Sequence, residues 1–452
     1  MAKNAENLVF VGAARRKRAI MDKLVIAGGT ALRGRVRISG AKNASLAILC
    51  ATVMSTERVL LENVPRINDV QVMTEIIRGL GARVNWQGVD SLQIIPPVEL
   101  ADMPPYELVK KLRASNLLLG PLLARFGRAE VSLPGGCNIG VRPMDLHFKG
   151  LMGLGAELTL ERGAVVASAG RLKGTRVYLD FPSVGATENI MMAACLAEGQ
   201  TIIENVAKEP EVVDLANFLN CLGAKVRGAG TDIIKVEGVP ALGGCLRYAV
   251  IPDRIEAGTF MVAAAATRGR VTLENVIPRH LEPLIAKLRE AGVVIEEGED
   301  QVLVYAEDPL KPIDIKTMPY PGFPTDMQSQ MMALLSTVPG TSLIVENIFE
   351  NRFRVADEFK RMGANIKVEG RIAVIEGVEK LHGTQVKATD LRAGAALVVA
   401  GLMAEGETEI CNTFYIDRGY HHLEQKLGGL GARIWRKRDD GLPVARISAI
   451  GH

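Results

Sequence analysis

The phrase Leu80-Gly81-Ala82-Arg83-Val84 decides the architecture, because the chain repeats it six times. It returns as Leu154-Gly155-Ala156-Glu157-Leu158, Leu222-Gly223-Ala224-Lys225-Val226 and Ala291-Gly292-Val293-Val294-Ile295. Met362-Gly363-Ala364-Asn365-Ile366 and Leu430-Gly431-Ala432-Arg433-Ile434 complete the set, with successive glycines 68–74 residues apart. A fixed period marks a chain built from copies of one supersecondary unit. A second phrase runs in phase with the first: Glu62-Asn63-Val64, Glu204-Asn205-Val206, Glu274-Asn275-Val276 and Glu346-Asn347-Ile348 each close an apolar strand. Cys411-Asn412-Thr413 is a weaker copy.

The first unit shows what is being repeated. Arg35 to Ser39 alternates as a strand, Asn43 to Met54 reads as an apolar helix and Val59 to Asn63 as a second strand. Asp69 to Leu80 puts Val70, Met73, Ile76, Ile77 and Leu80 on one helical face, and Gly81 ends that helix as a C-terminal cap. Val84 to Trp86 and Leu92 to Ile95 close the unit as a hairpin, which predicts β-α-β-α-β-β. The first helix of each unit is nearly all apolar, as in Thr259 to Thr267 and Ala393 to Ala404, and belongs in a core. The second is amphipathic and covers the outside. Sheets outside and helices inside argue against a Rossmann sheet, and no G-x-G-x-x-G or Walker sequence is present in strand–helix context. Three units around a buried helix cluster make one domain, so six units predict two.

Composition narrows the functional classes. The 452 residues are 48% hydrophobic and 23% charged with a net charge of +3, an ordinary globular balance without a basic, aromatic-interleaved stripe for nucleic acid. The longest apolar stretch, Ala393 to Ala404, is short of a membrane span. Residues 1–20 read as a disordered extension: the basic cluster Arg15 to Arg18 follows an apolar run instead of preceding it, the reverse of a secretory signal. A soluble, cytoplasmic protein is expected. Six cysteines without a CxxC pair argue against a disulfide framework or a zinc site. Five of them stand where a small hydrophobe would serve. Cys137 does not.

Function is expected where the repeats differ. Each buried helix opens on polar residues: Lys42-Asn43, Arg113, Ser183, Asp253-Arg254, Thr325-Asp326 and Asp390 with Arg392. Arg142 to Asp145, Arg352 and Arg418 precede second helices. Cations at helix N-termini favour anions, so two domains facing each other through those ends would enclose an anion site. Any single member of the set also reads as a cap or a solvated loop charge. The second unit departs most, replacing Glu-Asn-Val by Leu133-Pro134-Gly135-Gly136-Cys137-Asn138-Ile139-Gly140-Val141-Arg142-Pro143. Prolines bracketing glycines and a thiol beside an arginine suit a mobile, reactive loop better than a packed strand end.

Several of these runs resemble one family. Gly40-Ala41-Lys42-Asn43-Ala44, the Pro-Gly-Gly-Cys loop through Asp145, and Phe323-Pro324-Thr325-Asp326-Met327-Gln328 carry the resemblance. Glu350-Asn351-Arg352-Phe353, Thr389-Asp390-Leu391-Arg392 and Ile416-Asp417-Arg418-Gly419-Tyr420 extend it, in order, from about Met21 to Arg438. The family is that of the UDP-N-acetylglucosamine enolpyruvyl transferases, or 1-carboxyvinyltransferases, of peptidoglycan synthesis. The resemblance implies a two-domain inside-out α/β barrel, with residues 42–250 in one domain and residues 21–41 plus 251–452 in the other.

It also implies roles. Lys42, Asn43, Arg142 and Arg418 match positions around the phosphate of phosphoenolpyruvate, with Arg352 and Arg392 suited to its carboxylate. Asp326 matches the acid that takes the proton of the sugar 3-hydroxyl, and Cys137 the loop thiol that donates a proton and adds covalently to phosphoenolpyruvate. A phosphonate epoxide such as fosfomycin is expected to trap that thiol. Arg113, Arg142, Pro143, Met144, Asp145, Leu146, Ser183, Val184, Asp326 and Ile348 match the sugar-nucleotide positions. Phe181-Pro182-Ser183 stands where some members carry a lysine two residues before the serine, a departure on the uridine-diphosphate side. No cofactor, metal, nucleic acid or membrane is implied, and a monomer or weak homo-oligomer is expected. The rivals are the sister 5-enolpyruvylshikimate-3-phosphate synthase, which lacks the Cys137 loop, and a non-catalytic sugar-nucleotide sensor.

Overall fold

The computed structural model describes residues 22–101, 112–132, 139–140, 144–161 and 163–438. The expected extension 1–20, and Cys137, Arg142 and Pro143, lie outside the described residues. The six phrases end six helices in one way. Gly81, Gly155, Gly223, Gly292, Gly363 and Gly431 all have φ between +93° and +101°, a left-handed conformation that side chains disfavour. Each glycine N–H, and that of the residue after it, turns back onto the last helical carbonyls; Gly81 N donates to Arg78 O at 2.9 Å and Ala82 N to Ile77 O at 3.2 Å.

The Glu-Asn phrase is equally physical. Asn63, Asn205, Asn275 and Asn412 sit at φ +55° to +62°, a region asparagine tolerates. Their amides donate to a neighbouring strand: Asn63 to Val250 O at 2.8 Å, Asn205 to Leu179 O at 2.7 Å and Asn275 to Ile38 O at 2.7 Å. The glutamate before the first three of these asparagines binds an arginine on that same parallel strand: Glu62–Arg247, Glu204–Arg176 and Glu274–Arg35. The phrase is a staple between the first two strands of a unit.

Six small sheets result among the described residues, five of four strands and one of three. In the third unit, Arg176–Tyr178 runs parallel to Gln200–Glu204, which pairs antiparallel with Ile233–Glu237 and through it with Lys225–Arg227. The buried hydrophobic residues separate into two clusters. One draws on Leu24 to Ile38 and Ile255 to Ala432, the other on Ala41 to Val250. Helices Lys42–Thr52, Leu119–Phe126 and Val184–Ala194 run through the second, and Arg254–Ala266, Gln328–Leu335 and Leu391–Met403 through the first. All eight residues of Gln328–Leu335 are buried. Each buried Leu, Ile, Val, Phe or Met there stabilises the fold by roughly 1.5–3 kcal/mol.

Three features correct or extend the reading of the sequence. The strand that opens the chain's first unit, observed at Arg33–Arg37, does not join that unit; it pairs in parallel with Arg270–Glu274 of the fourth. The first unit takes Arg247–Ala249 instead, beside Val59–Glu62. The sequential reading failed because both strands carry the same alternation, and only the crossing of the chain between cores assigns them. Where it crosses, Ala41 N donates to Ile251 O at 2.7 Å and Asp253 N to Ser39 O at 2.8 Å. Secondly, the sixth unit is completed by the N-terminal strand Asp22–Ala27, which lies between Glu407–Cys411 and Arg433–Arg438. Thirdly, Cys221 and Cys245 form a disulfide, with Cα atoms 5.1 Å apart. Their 24-residue separation conceals that the end of helix Pro210–Cys221 folds back beside the approach to Arg247–Ala249.

Candidate active site

The polar openings of the buried helices gather where the two cores meet. Lys42 is the first residue of helix Lys42–Thr52, and its N–H donates to Asp253 Oδ2 at 3.0 Å, across the chain crossing. Its Nζ lies 3.2 Å from Asn43 Oδ1 and 3.3 Å from Asp69 Oδ2. From the opposite core, Arg418 grips the same Asp69 with two bonds, Nε to Oδ1 at 2.9 Å and Nη2 to Oδ2 at 3.2 Å. Burial lowers the Lys42 ammonium below its ordinary value; Asp69 opposes the shift, while Arg392 and Arg418 add to it.

A second cluster surrounds Asp326, in the single turn Thr325–Met327 that leads into Gln328–Leu335. Arg352 Nη2 donates to Oδ1 at 2.7 Å, and Arg392 Nε and Nη2 both donate to Oδ2, at 3.1 and 2.9 Å. Arg352 is only 2% exposed, and its Nε is buried with no hydrogen-bond partner among the described residues. Behind the pair, Tyr420 Oη lies 3.4 Å from Arg392 Nη1, 2.9 Å from Thr259 Oγ1 and 3.4 Å from Gln330 Nε2. These groups tie the openings of three buried helices together. Asp326 and Arg392 act electrostatically on Lys42, so the two clusters form one field.

The remaining described residues of the expected site divide between the cores, Ile348 with the Asp326 side and the others in the stretch 113–184. Arg113 opens the turn Arg113–Leu118, and Asp145 and Leu146 begin helix Asp145–Gly153, with Met144 before them. Ser183 caps helix Val184–Ala194 by accepting from Ala186 N at 3.4 Å, so the position expected to meet sugar nucleotide also serves the helix. Ile348 N donates to Glu346 Oε1 at 2.8 Å. The described end of the Cys137 loop reaches the opposite core: Ile139 O accepts from Asn351 N at 3.1 Å, beside Arg352. A Cβ at Gly140 would meet the end of the Glu350 side chain, on backbone at φ +150° that side chains rarely adopt. Cys50 and Cys195 are buried, and burial pushes both thiols up, Cys195 to about 12.

Sequence reasoning missed four residues. Asp69 reads as an ordinary first-turn acid. Tyr420 sits inside a quoted motif, yet nothing local says that it is buried at 3% exposure. Glu346 repeats the Glu-Asn phrase, but instead of an outward arginine it accepts from Thr317 Oγ1 at 3.0 Å and Thr325 Oγ1 at 2.9 Å, holding the turn that carries Asp326. The missing arginine on the partner strand was the available signal. His147 accepts from Asn189 Nδ2 at 3.0 Å through Nδ1, because Asn189 Oδ1 is taken by Gly120 N. Burial, with help from Arg113, lowers His147 to about 4, so the neutral ring carries its proton on Nε2, facing Gly185 beside Ser183 and Val184. No role was expected of any histidine.

Comparisons with known proteins identify the family. The sequence pattern of the EPSP synthase (3-phosphoshikimate 1-carboxyvinyltransferase) family matches residues 26–427. The chain is 60% identical over 421 residues to a UDP-N-acetylglucosamine 1-carboxyvinyltransferase 2 of Carboxydothermus hydrogenoformans, covering 93% of this chain and 100% of the relative. The chain belongs to the UDP-N-acetylglucosamine 1-carboxyvinyltransferase family. A second member, from Bacillus subtilis, is 53% identical over 420 residues, 92% of this chain and 97% of its own length. Among solved structures, the enolpyruvyl transferase NikO from Streptomyces tendae superposes with a TM-score of 0.85 at 28% identity, over 93% of this chain and 99% of the other. EPSP synthase from Acinetobacter baumannii follows at 0.73 and 21%, over 92% and 100%, a likeness of fold alone. The inside-out α/β barrel of the enolpyruvyl transferases is therefore the fold of this family member. Among the described residues no helix is long and apolar enough to cross a membrane.

Proposed function

We propose that this protein transfers the enolpyruvyl group of phosphoenolpyruvate to the 3-hydroxyl of UDP-N-acetylglucosamine with release of phosphate, the committed step into peptidoglycan. One observation carries the reading: a chain 53–60% identical to such transferases over nine-tenths of its length has four cations and two acids meeting between its cores. We assign the donor phosphate to Lys42, Asn43, Arg418 and Arg142, and the donor carboxylate to Arg352 and Arg392. Guanidinium forks suit such oxyanions, and the buried Nε of Arg352 is a donor in want of an acceptor. We assign the sugar nucleotide to Arg113, residues 142–146, Ser183, Val184 and Ile348.

In the addition step the sugar 3-oxygen bonds to the donor's C2, its proton goes to Asp326 and C3 receives a proton from Cys137. Elimination then returns a proton from C3, breaks the C–O bond to phosphate and restores the double bond. Asp326 is oriented by two guanidiniums, one per oxygen, so its position is set before substrate arrives. Two three-unit domains, residues 42–250 and residues 21–41 with 251–452, are supported by the two separate cores and would enclose this chemistry by closing on each other. A monomer or weak homo-oligomer is part of the same proposal.

The test is phosphate release from phosphoenolpyruvate. Release is expected with UDP-N-acetylglucosamine and not without it. Release driven by 3-phosphoshikimate instead would move the chain to the sister activity. Binding of sugar nucleotide with no release would make it a sensor.

A further inference from the structure

We propose that Asp69 is a positioning residue for the donor site, gathering Lys42 from one core and Arg418 from the other into a single anion-binding pair. The inference rests on the assignment of those two cations to phosphate. An acid in the first turn of a helix ordinarily serves the helix, facing solvent near the free N–H groups. Asp69 lies in the first turn of Asn68–Gly79 but is 3% exposed, and the N-terminus has no side-chain cap. Both its oxygens turn away to cations brought by distant chain, Arg418 at 2.9 and 3.2 Å and Lys42 at 3.3 Å. The corresponding acid of the third unit, Glu211, likewise reaches across to Arg254 of the other core, at 3.2 and 3.3 Å. Asp69 differs in holding two cations at once.

That double contact has an electrostatic consequence. Lys42 faces Asp69 on helix Asn68–Gly79, Asp253 before Arg254–Ala266, Asp326 before Gln328–Leu335, Arg392 on Leu391–Met403 and Arg418 after Phe414–Asp417; Asn43 is its own-helix neighbour. Burial and the two arginines act against its charge, and Asp69 is the strongest influence in favour of it. With Asp69 neutral, Lys42 loses its proton at lower pH, and the phosphate pair loses a cation.

The experiment compares Asp69→Asn with Asp69→Glu in kcat/KM for phosphoenolpyruvate against pH. In Asp69→Asn the alkaline limb is expected to move acidward by about 1 unit or more, with KM for phosphoenolpyruvate raised about tenfold and KM for sugar nucleotide little changed. Asp69→Glu keeps the charge and is expected to keep the limb in its native place, whatever its KM. A limb unmoved in the amide variant, or moved equally in both, overturns the proposal. If Asp69→Asn does not fold, a displaced limb in Asp69→Glu overturns it and a native one supports it. Should the unmodified protein show no turnover, the functional reading has failed. Calorimetric binding of inorganic phosphate above pH 8 then tests Asp69 alone, by the same displacement of the limb.

Discussion

Asp326 holds the most demanding position in the molecule. Arg352 and Arg392 both bind it, and these are also the groups assigned to the donor carboxylate. Donor binding would therefore share guanidinium edges with a base that the same two arginines already hold in place. Asp326→Asn keeps the shape and removes the proton acceptor. Turnover is expected to fall by about 10²–10⁴-fold while sugar-nucleotide binding persists. The variant is also expected to melt lower, because two buried guanidiniums lose their counter-charge. Near-normal turnover would reduce Asp326 to the opening acid of its helix.

At the scale of elements, the Glu-Asn staple is the recurrent device. Its asparagine does two jobs, tolerating φ near +55° and donating its amide to the neighbouring strand at Asn63, Asn205 and Asn275. The two are separable at Asn205, remote from Asp326 in the other core. Asn205→Gly keeps the backbone and loses one hydrogen bond, about 1 kcal/mol. Asn205→Ala loses the bond and adds a left-handed penalty of roughly 1–2 kcal/mol. Denaturant unfolding should therefore rank the native protein above Asn205→Gly and that above Asn205→Ala. Equal losses in the two variants would show that conformation plays no part.

For the whole molecule, the contact between cores contains acids as well as cations. Glu209 precedes helix Pro210–Cys221 and faces Glu211, Arg254 and Tyr320. Burial, then repulsion from Glu211, pushes Glu209 up to about 7, against the opposing pull of Arg254. The folded protein thus keeps a proton that the unfolded chain releases near the ordinary 4.5. Stability from this group is greatest below about 4.5 and declines as pH rises toward 7. Asp214, pushed up to about 6 by burial, acts the same way over a lower window. Glu209→Gln removes the first contribution, so its melting temperature relative to the native protein should rise between pH 5 and pH 8. A difference that stays constant across that range would refute the assignment.

What was legible in the sequence was local. A glycine forced to positive φ, an asparagine that tolerates it and an all-apolar helix are each specified within about a dozen residues. Six copies in phase were enough for the unit, the buried helices and the inside-out arrangement. The meeting of Lys42, Asp326 and Arg392 was foreshadowed by the polar openings of the buried helices, and that of Arg418 by its place before a second helix, while the roles expected of them came from the family resemblance. What only the tertiary structure decided were meetings between distant residues. The exchange of Arg33–Arg37 for Arg247–Ala249 depends on where the chain crosses between cores, which neither strand's own alternation encodes. The joining of Cys221 to Cys245 follows from a helix folding back, and the inward turn of Glu346 from two threonines lying within reach. Asp69 shows the difference most plainly. Its sequence neighbourhood reads as a helix start, and its burial between Lys42 and Arg418 exists only because two cores close on the same carboxylate.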